Sequence, residues 1–468
     1  MGFKAYKRRV EELDAQGALL QRRIEDLTAE LESARHAYSE NRRERAASTP
    51  LHALPDDVLK LVFDEAYDHD PYDDEYEFHI LTMTHVSRRL RQIALSLPHL
   101  WRYIDIGPPT PFLELVLSRT GSLPLYITCY NKYQPDRDGL SIMARQHILA
   151  TRYVEQLGLL LRGYSHRIAH MSILGHVSQP FLSILPVLRR HTLPICEFLQ
   201  LATNPDALRI NIPQLLPQCP QLDALWITAI PTSFVRRTFE CLMRLSISEI
   251  KVSRNDLREA ARACPNLTWL DLADVRLTGG DSGPVRFPHL EKLRLGQVKA
   301  PEAYLDLLDM PALSSLVIWS LKLSSRNVAG ADPGPLRPFT NVRNLALCHV
   351  LVPAALPYDG NILQYAPNAT TLQLDDSAPE SARESFTEYF LKAEPPPLPA
   401  LKTLFVTEAE RGGQNILRVV EHRARHELPL KEVQFGKDSM GEVDGELLQT
   451  LKRHVDVTTT TDFEVGQD

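Results

Sequence analysis

Pro265-Asn266-Leu267-Thr268-Trp269-Leu270-Asp271-Leu272 carries the pattern on which the fold turns. An apolar residue is followed by two others, an apolar residue, one other and an apolar residue, and a proline stands ahead of the phrase. Further copies are Pro220-Gln221-Leu222-Asp223-Ala224-Leu225-Trp226-Ile227, Pro288-His289-Leu290-Glu291-Lys292-Leu293-Arg294-Leu295, Pro311-Ala312-Leu313-Ser314-Ser315-Leu316-Val317-Ile318 and Pro399-Ala400-Leu401-Lys402-Thr403-Leu404-Phe405-Val406. The first apolar position recurs at Ile168, Cys196, Leu222, Leu242, Leu267, Leu290, Leu313, Val342, Ala369, Leu401 and Leu430, in steps of 20 to 32 residues that average about 26. Alternation with period two predicts a short strand whose apolar pair points inward.

That period straddles the 20 to 29 residues of leucine-rich repeats. The copies are irregular and lack the asparagine of the standard repeat. The expectation is an α/β leucine-rich-repeat solenoid over residues 120–437, curved into a horseshoe, with Leu123 to Tyr130 as the edge strand. Connecting stretches can hold helices: Leu257, Ala260, Ala261 and Cys264 share one helical face. Residues between the leucines then face the concave side. Those proposed to hold another protein are Trp226, Arg244, Trp269, Asp271, Lys292, Arg294, Trp319 and Phe405. Three of the four tryptophans fall on this list, and tryptophan and arginine dominate interface energetics. Burial under a loop or the N-terminal helix is the competing reading.

Toward the N-terminus, Tyr6, Val10, Leu13, Gly17, Leu20, Ile24, Leu27, Leu31, Ala34 and Tyr38 alternate in steps of four and three. This is the seam of a coiled coil, flanked by charge, and predicts a coiled-coil helix over 3–46. It implies a homodimer through this helix; a lone helix folded back on the body, or one that frays, is the alternative. Gly17 is the weak point, at about 1 kcal/mol relative to alanine. The helix should stop near Ser48-Thr49-Pro50.

Residues 50–107 read as a small helical module. Leu54-Pro55-Asp56-Asp57-Val58-Leu59-Lys60-Leu61-Val62-Phe63 opens it, with proline suited to the first helical position and acids to the positive end of the dipole. A second apolar stripe runs through Met83, Val86, Leu90, Ile93 and Leu97, and Leu100-Trp101 closes the unit. In order, Leu-Pro plus acid, Val86-Ser87-Arg88 and Leu100-Trp101 resemble the F-box. The resemblance covers roughly one eighth of the chain, and as a whole the sequence resembles the large fungal set of F-box repeat proteins. It implies docking to the Skp-family adaptor of cullin-RING ubiquitin ligases. The residues carried over are Leu54, Pro55, Val58, Leu59, Val62, Val86, Leu90, Ile93, Leu100 and Trp101. About half of these would only fill the module's own core; Leu54 and Pro55 are the better interface candidates. Two departures bear on adaptor affinity. Leu90 stands where the family often has tryptophan, and an acidic stretch, 64–77, separates the two stripes. Asp68, Asp70 and Asp73 hint at calcium, but the EF-hand glycine and closing glutamate are missing.

Composition bounds the rest. The chain has 468 residues, 44% hydrophobic and 24% charged, with a formal charge of -7, which speaks against a general nucleic-acid partner. No apolar run spans a bilayer, and Met1 to Arg9 lacks a signal-peptide core, so cytoplasm or nucleus is expected. The six cysteines are scattered and read as reduced, buried thiols. Cys219 and Cys264 look like small core residues. His422 and His426 have zinc spacing but no completing ligand. No phosphate loop or catalytic motif appears. Residues 438–468 offer a short amphipathic helix around Leu447, Leu448 and Leu451, then a polar end that frays. The expectation is a receptor with no catalytic residues, no metal and no cofactor. It would be the substrate-recognition subunit of an SCF-type ubiquitin ligase, binding adaptor, cullin and an unidentified client protein. The alternative is an F-box scaffold acting outside a ligase.

Overall fold

The computed structural model describes residues 2–47, 54–67, 79–107, 110–131, 142–175, 184–203, 216–230, 238–279, 283–298, 301–319, 337–348, 361–374, 387–388, 390–394, 396–406, 413–436 and 445–460. Two compact units emerge: Met1–Arg102 with Val116–Gly121, and Tyr103–Leu115 with Ser122–Asp468. Asp68 to Glu77, with the calcium hint, and Ser48 to Pro50 lie outside the described residues.

The first unit opens with one 46-residue helix, α1 (Gly2–Ala47). Every side chain of α1 whose burial is described is exposed, including Tyr6, Leu13, Leu20, Ile24, Leu27, Leu31 and Tyr38.

Three short helices follow: α2 (Asp56–Tyr67), α3 (His79–Val86) and α4 (Arg88–Leu95), closed by a 3-10 turn over Pro98–Trp101. Asp56 and Asp57 occupy the first turn of α2, where the exposed N–H groups favour negative charge. Ser87 caps α4 by accepting from the Leu90 amide at 3.2 Å. Leu59 and Phe63 of α2 are buried, as are Leu90, Ile93 and Ala94 of α4, and Leu100 and Trp101. Trp101 donates its indole N–H to the Ala94 carbonyl at 2.8 Å, so its one polar atom is satisfied inside that core. Arg89, in the first turn of α4, ties that helix to the entry of the module, donating to the Leu54 carbonyl at 2.7 Å and, through Nε, to Asp56 at 2.9 Å.

The second unit is built on strands β1 (Tyr103–Asp105), β2 (Leu125–Asn131), β3 (Ile168–Gly175), β4 (Phe198–Thr203), β5 (Ala224–Thr228), β6 (Arg244–Ser248), β7 (Lys251–Ser253), β8 (Trp269–Ala273) and β9 (Arg276–Thr278). They continue with β10 (Val285–Arg286), β11 (Lys292–Gly296), β12 (Leu308–Asp309), β13 (Ser315–Trp319), β14 (Asn344–Cys348), β15 (Thr371–Leu374), β16 (Thr403–Val406), β17 (Glu432–Gly436) and β18 (Asp456–Thr460). Among the described residues, fourteen of these form one sheet in chain order, β1-β2-β3-β4-β5-β6-β8-β11-β13-β14-β15-β16-β17-β18, and every pairing is parallel. β7 pairs with β9 and β10 with β12 in two small satellite sheets. The helices of this unit are α5 (Thr110–Arg119, whose last residues belong to the first unit), α6 (Ile142–Tyr164), α7 (Arg254–Ala263), α8 (Pro301–Leu307), α9 (Asn361–Gln364), α10 (Gly413–Arg425) and α11 (Gly445–Leu451).

The prolines ahead of each phrase have a local job. The amides of Leu222, Leu267, Leu313 and Leu401 bond back to the carbonyls of Cys219, Cys264, Met310 and Leu398, three residues earlier. Each closes a turn whose second position is Pro220, Pro265, Pro311 or Pro399, where a fixed φ suits the geometry. The first apolar residue of all eleven phrases is buried. After the turn the chain pairs with the preceding strand: the Trp269 amide reaches the Met243 carbonyl and the Lys292 amide the Thr268 carbonyl, both at 2.9 Å. The inward row reads Leu199, Leu225, Leu245, Leu270, Leu293, Leu316, Leu345, Leu372 and Leu404 in register. Beyond four successive strands, Ala229, Glu249, Asp274 and Gln297 adopt positive φ, between 46° and 60°. Each amide there bonds to the next strand, at 2.7 to 2.9 Å.

One buried cation fixes a turn near the end of the sheet. Arg423 of α10 is fully buried and donates to the carbonyls of Pro397 at 2.8 Å, Leu398 at 3.1 Å and Leu401 at 3.4 Å. Burial pulls its guanidinium down to about 10.

This architecture corrects the sequence-based expectation. Within an α/β fold, the expected leucine-rich-repeat horseshoe gives way to a single 14-stranded all-parallel sheet with helices, preceded by one long N-terminal helix and a small helical module. A solenoid repeats its connections as well as its strands, and here the connections differ. β6 leads to β8 through β7 and α7, β11 to β13 through α8 and β12, and β16 to β17 through α10. The sheet also begins earlier and ends later than expected. β2 is not an edge, because β1 pairs outside it. The polar end expected to fray contains β18, which pairs with β17.

Candidate functional site

In the helical module, the helix period divides α2 into two faces. Leu59 and Phe63 point into the core, whereas Val58 is 38%, Leu61 66% and Val62 39% exposed. Pro55 is exposed and Leu54 half-buried. On α3, Val86 is 57% exposed. The solvent-facing apolar residues Pro55, Val58, Leu61 and Val62, at i, i+3, i+6 and i+7, form a stripe, not a scatter, and such a stripe marks a surface that meets another molecule. The residues carried over from the F-box resemblance therefore separate into two groups. Leu59, Leu90, Ile93, Leu100 and Trp101 are core. Pro55, Val58, Val62 and Val86 are surface. Leu61 belongs to the stripe and was not among the expected residues; its spacing of three from Val58 was the available signal.

In the second unit, the residues between the inward leucines lie on the opposite face of the sheet. Their in-register neighbours run Ser246, Asp271, Arg294, Val317 on β6, β8, β11 and β13. Asp271 accepts from the Ser246 hydroxyl at 3.1 Å and lies 4.0 Å from Arg294 Nε. Burial pushes its carboxyl up, against the opposing pull of Arg294 and Ser246. Arg294 also sits over the Trp319 ring, 5.3 Å from its centroid, a cation–π contact. Trp319 packs on Val317, Ala346 and Cys348, a buried apolar cluster. Arg244 is held by Asp223 at 2.8 Å. Trp226, Trp269 and Lys292 are half-buried, and Phe405 is buried. Asp271, Arg294 and Trp319 thus come together, while Phe405 is too covered to present its ring.

An aromatic run on the same face was not expected. Tyr103 and Tyr126 are 4.8 Å apart, Tyr126 and His170 4.3 Å, His170 and Phe198 5.7 Å, and Phe198 and Trp226 5.2 Å between ring centroids. His170 and Phe198 stand two residues after the first apolar positions Ile168 and Cys196, as Trp269 stands after Leu267. The same rule that selected Trp269 also selects them.

Five of the six cysteines are buried and Cys241 is exposed. Burial holds Cys264 up at about 12 and Cys129 far above the usual thiol range, so neither is a ready thiolate nucleophile. One thiol, Cys241, should react promptly with Ellman's reagent in the native protein and the other five only after denaturation; a second fast thiol would contradict these environments. His422 and His426 have ring centroids 4.6 Å apart. Among the described residues no three His, Cys, Asp or Glu side chains gather as a metal site.

No family model matches the chain, and no curated protein matches it. Among the described residues, no helix is long and apolar enough to cross a membrane.

Proposed function

We propose that the chain is a non-catalytic receptor of the F-box type, whose helical module docks on a Skp-family adaptor and whose sheet binds a client protein for a cullin-RING ubiquitin ligase. The observation that carries this reading is the solvent-exposed stripe of Val58, Leu61 and Val62 on α2 with Pro55 just ahead of it, backed by a separate core of Leu59 and Phe63. A module that completes its own core and still leaves apolar residues outside has surface to bury against a partner. The order Leu54-Pro55, Val86-Ser87-Arg88 and Leu100-Trp101 supplies the resemblance that names the partner.

The client would meet the face bearing Asp271, Arg294 and Trp319. A buried carboxylate, an arginine and an aromatic ring in one patch combine charge recognition with apolar anchoring, the mixture that concentrates binding energy. Catalysis is then left to other subunits, and the receptor contributes proximity. The compartment consistent with this role is cytoplasm or nucleus.

Co-purification tests the reading. The tagged chain should recover the adaptor together with a cullin. Recovery of the adaptor without a cullin would favour a scaffold outside the ligase, and recovery of neither would remove the proposal.

A further inference from the structure

We propose that a second copy of this chain docks along α1, parallel and in register. The starting observation is that no described side chain of α1 is buried. Its 46 residues form one helix in which every described side chain is exposed. Seven of them are large and apolar and lie on one seam: Tyr6 at 69% exposure, Leu13 51%, Leu20 62%, Ile24 58%, Leu27 47%, Leu31 51% and Tyr38 66%. Most helices in proteins are stabilised by a packed face, and among the described residues none covers this seam. Steps of four and three match the 3.5-residue period of two wound helices, with Ile24 and the leucines Leu20 and Leu27 in the alternating arrangement that favours two strands.

Charge selects the occupant and its direction. In a parallel, in-register pair, a residue flanking one side of the seam meets the residue five positions later on the second copy. Arg9 then faces Asp14, and Glu30 faces Arg35, each twice by symmetry; the remaining flanking pairs, Gln16 with Gln21 and Arg23 with Thr28, carry no like charges. Arg9 also contacts Glu12 of its own helix at 3.2 Å, an exposed pair that leaves the guanidinium able to bridge. The antiparallel alignment of the same seam instead sets Lys7 against Arg35 twice and Arg23 against Arg23, with no attractive pair to offset them. A helix whose flanks complement themselves in one orientation fits a second copy of itself.

Gly17 occupies the seam, and a Cβ built there meets nothing within 4 Å. A larger apolar residue there would add burial between the paired helices.

Sedimentation equilibrium on the full chain, of mass 53.0 kDa, is expected to give twice the chain mass at micromolar concentration. Leu20→Lys with Leu27→Lys should return it to the single-chain mass; both side chains are exposed in the isolated chain, so folding is not at stake. Gly17→Leu should tighten the dimer by about tenfold or more, through helix propensity and added apolar burial in both copies. Orientation is read by oxidation in a Cys241→Ser background. Tyr38→Cys should cross-link with itself, and so should Tyr6→Cys. Single-chain mass at every concentration would overturn the proposal. So would cross-linking only between Tyr6→Cys and Tyr38→Cys copies, which is the antiparallel signature.

Discussion

Val58→Asp with Leu61→Asp is expected to abolish adaptor binding while leaving the protein folded. The two side chains are 38% and 66% exposed, so the free chain carries the new carboxylates in water at little cost. Exposed substitutions of this kind usually stay within about 0.5 kcal/mol of the parent stability. In the docked state the same carboxylates would be stripped of water against an apolar partner, with no cation in place. An unpaired charge at such a contact costs several kcal/mol. Loss of about 3 kcal/mol or more corresponds to a fall in affinity beyond about a hundredfold. Leu59→Asp is the contrasting control. Leu59 is 1% exposed, so its substitution should unfold the module. Retained binding by the Val58/Leu61 variant, with its unfolding curve unchanged, would place the interface elsewhere.

The second large effect falls on stability. Arg423→Met should destabilise the sheet unit by about 3–5 kcal/mol, because the carbonyls of Pro397, Leu398 and Leu401, two of these bonds being buried, lose the guanidinium that joins them. Methionine keeps most of the volume, so the loss reports hydrogen bonding rather than a cavity. Arg423→Lys should not restore it, since an ammonium cannot span the carbonyls that the planar fork reaches. Arg425→Met, two residues on and exposed, should change stability by no more than about 0.5 kcal/mol. Denaturant unfolding of the three variants checks the ranking, and parity between Arg423→Met and Arg425→Met would refute the role given to the buried arginine.

Strands were legible in the sequence because they are local. Leu267, Leu270 and Leu272 alternate, and Pro265 sits at the second position of a closed turn, so both the strand and its inward pair follow from eight residues. Their assembly was not legible. Spacing between phrases varies, and the elements that fill it, such as α7 with its Ser253–Asp256 capping box, differ from one described connection to the next. Hence the expected horseshoe gave way to one 14-stranded parallel sheet. β1 and β18 were missed for a related reason: Tyr103–Asp105 is three residues long and β18 is rich in threonine, so neither carries the leucine signature.

The candidate surfaces were legible in part. Binary pattern marks a residue as apolar without saying which side of a helix the core occupies. That is why Leu59 and Val58 were grouped together although one is buried and the other exposed. On the sheet, the residues between leucines were correctly assigned to one face by the pleat, but position alone does not reveal cover. Phe405 shares that face and is buried, whereas the Arg294–Trp319 contact depends on neighbouring strands being in register.

Calorimetric titration of the full chain with a recombinant Skp-family adaptor tests the central claim most directly. The account predicts saturable one-to-one binding with a negative heat-capacity change, the mark of apolar burial, which disappears when Val58 and Leu61 are changed to aspartate. Absence of binding by the unmodified chain, or binding with unaltered heat capacity in the double variant, would contradict it.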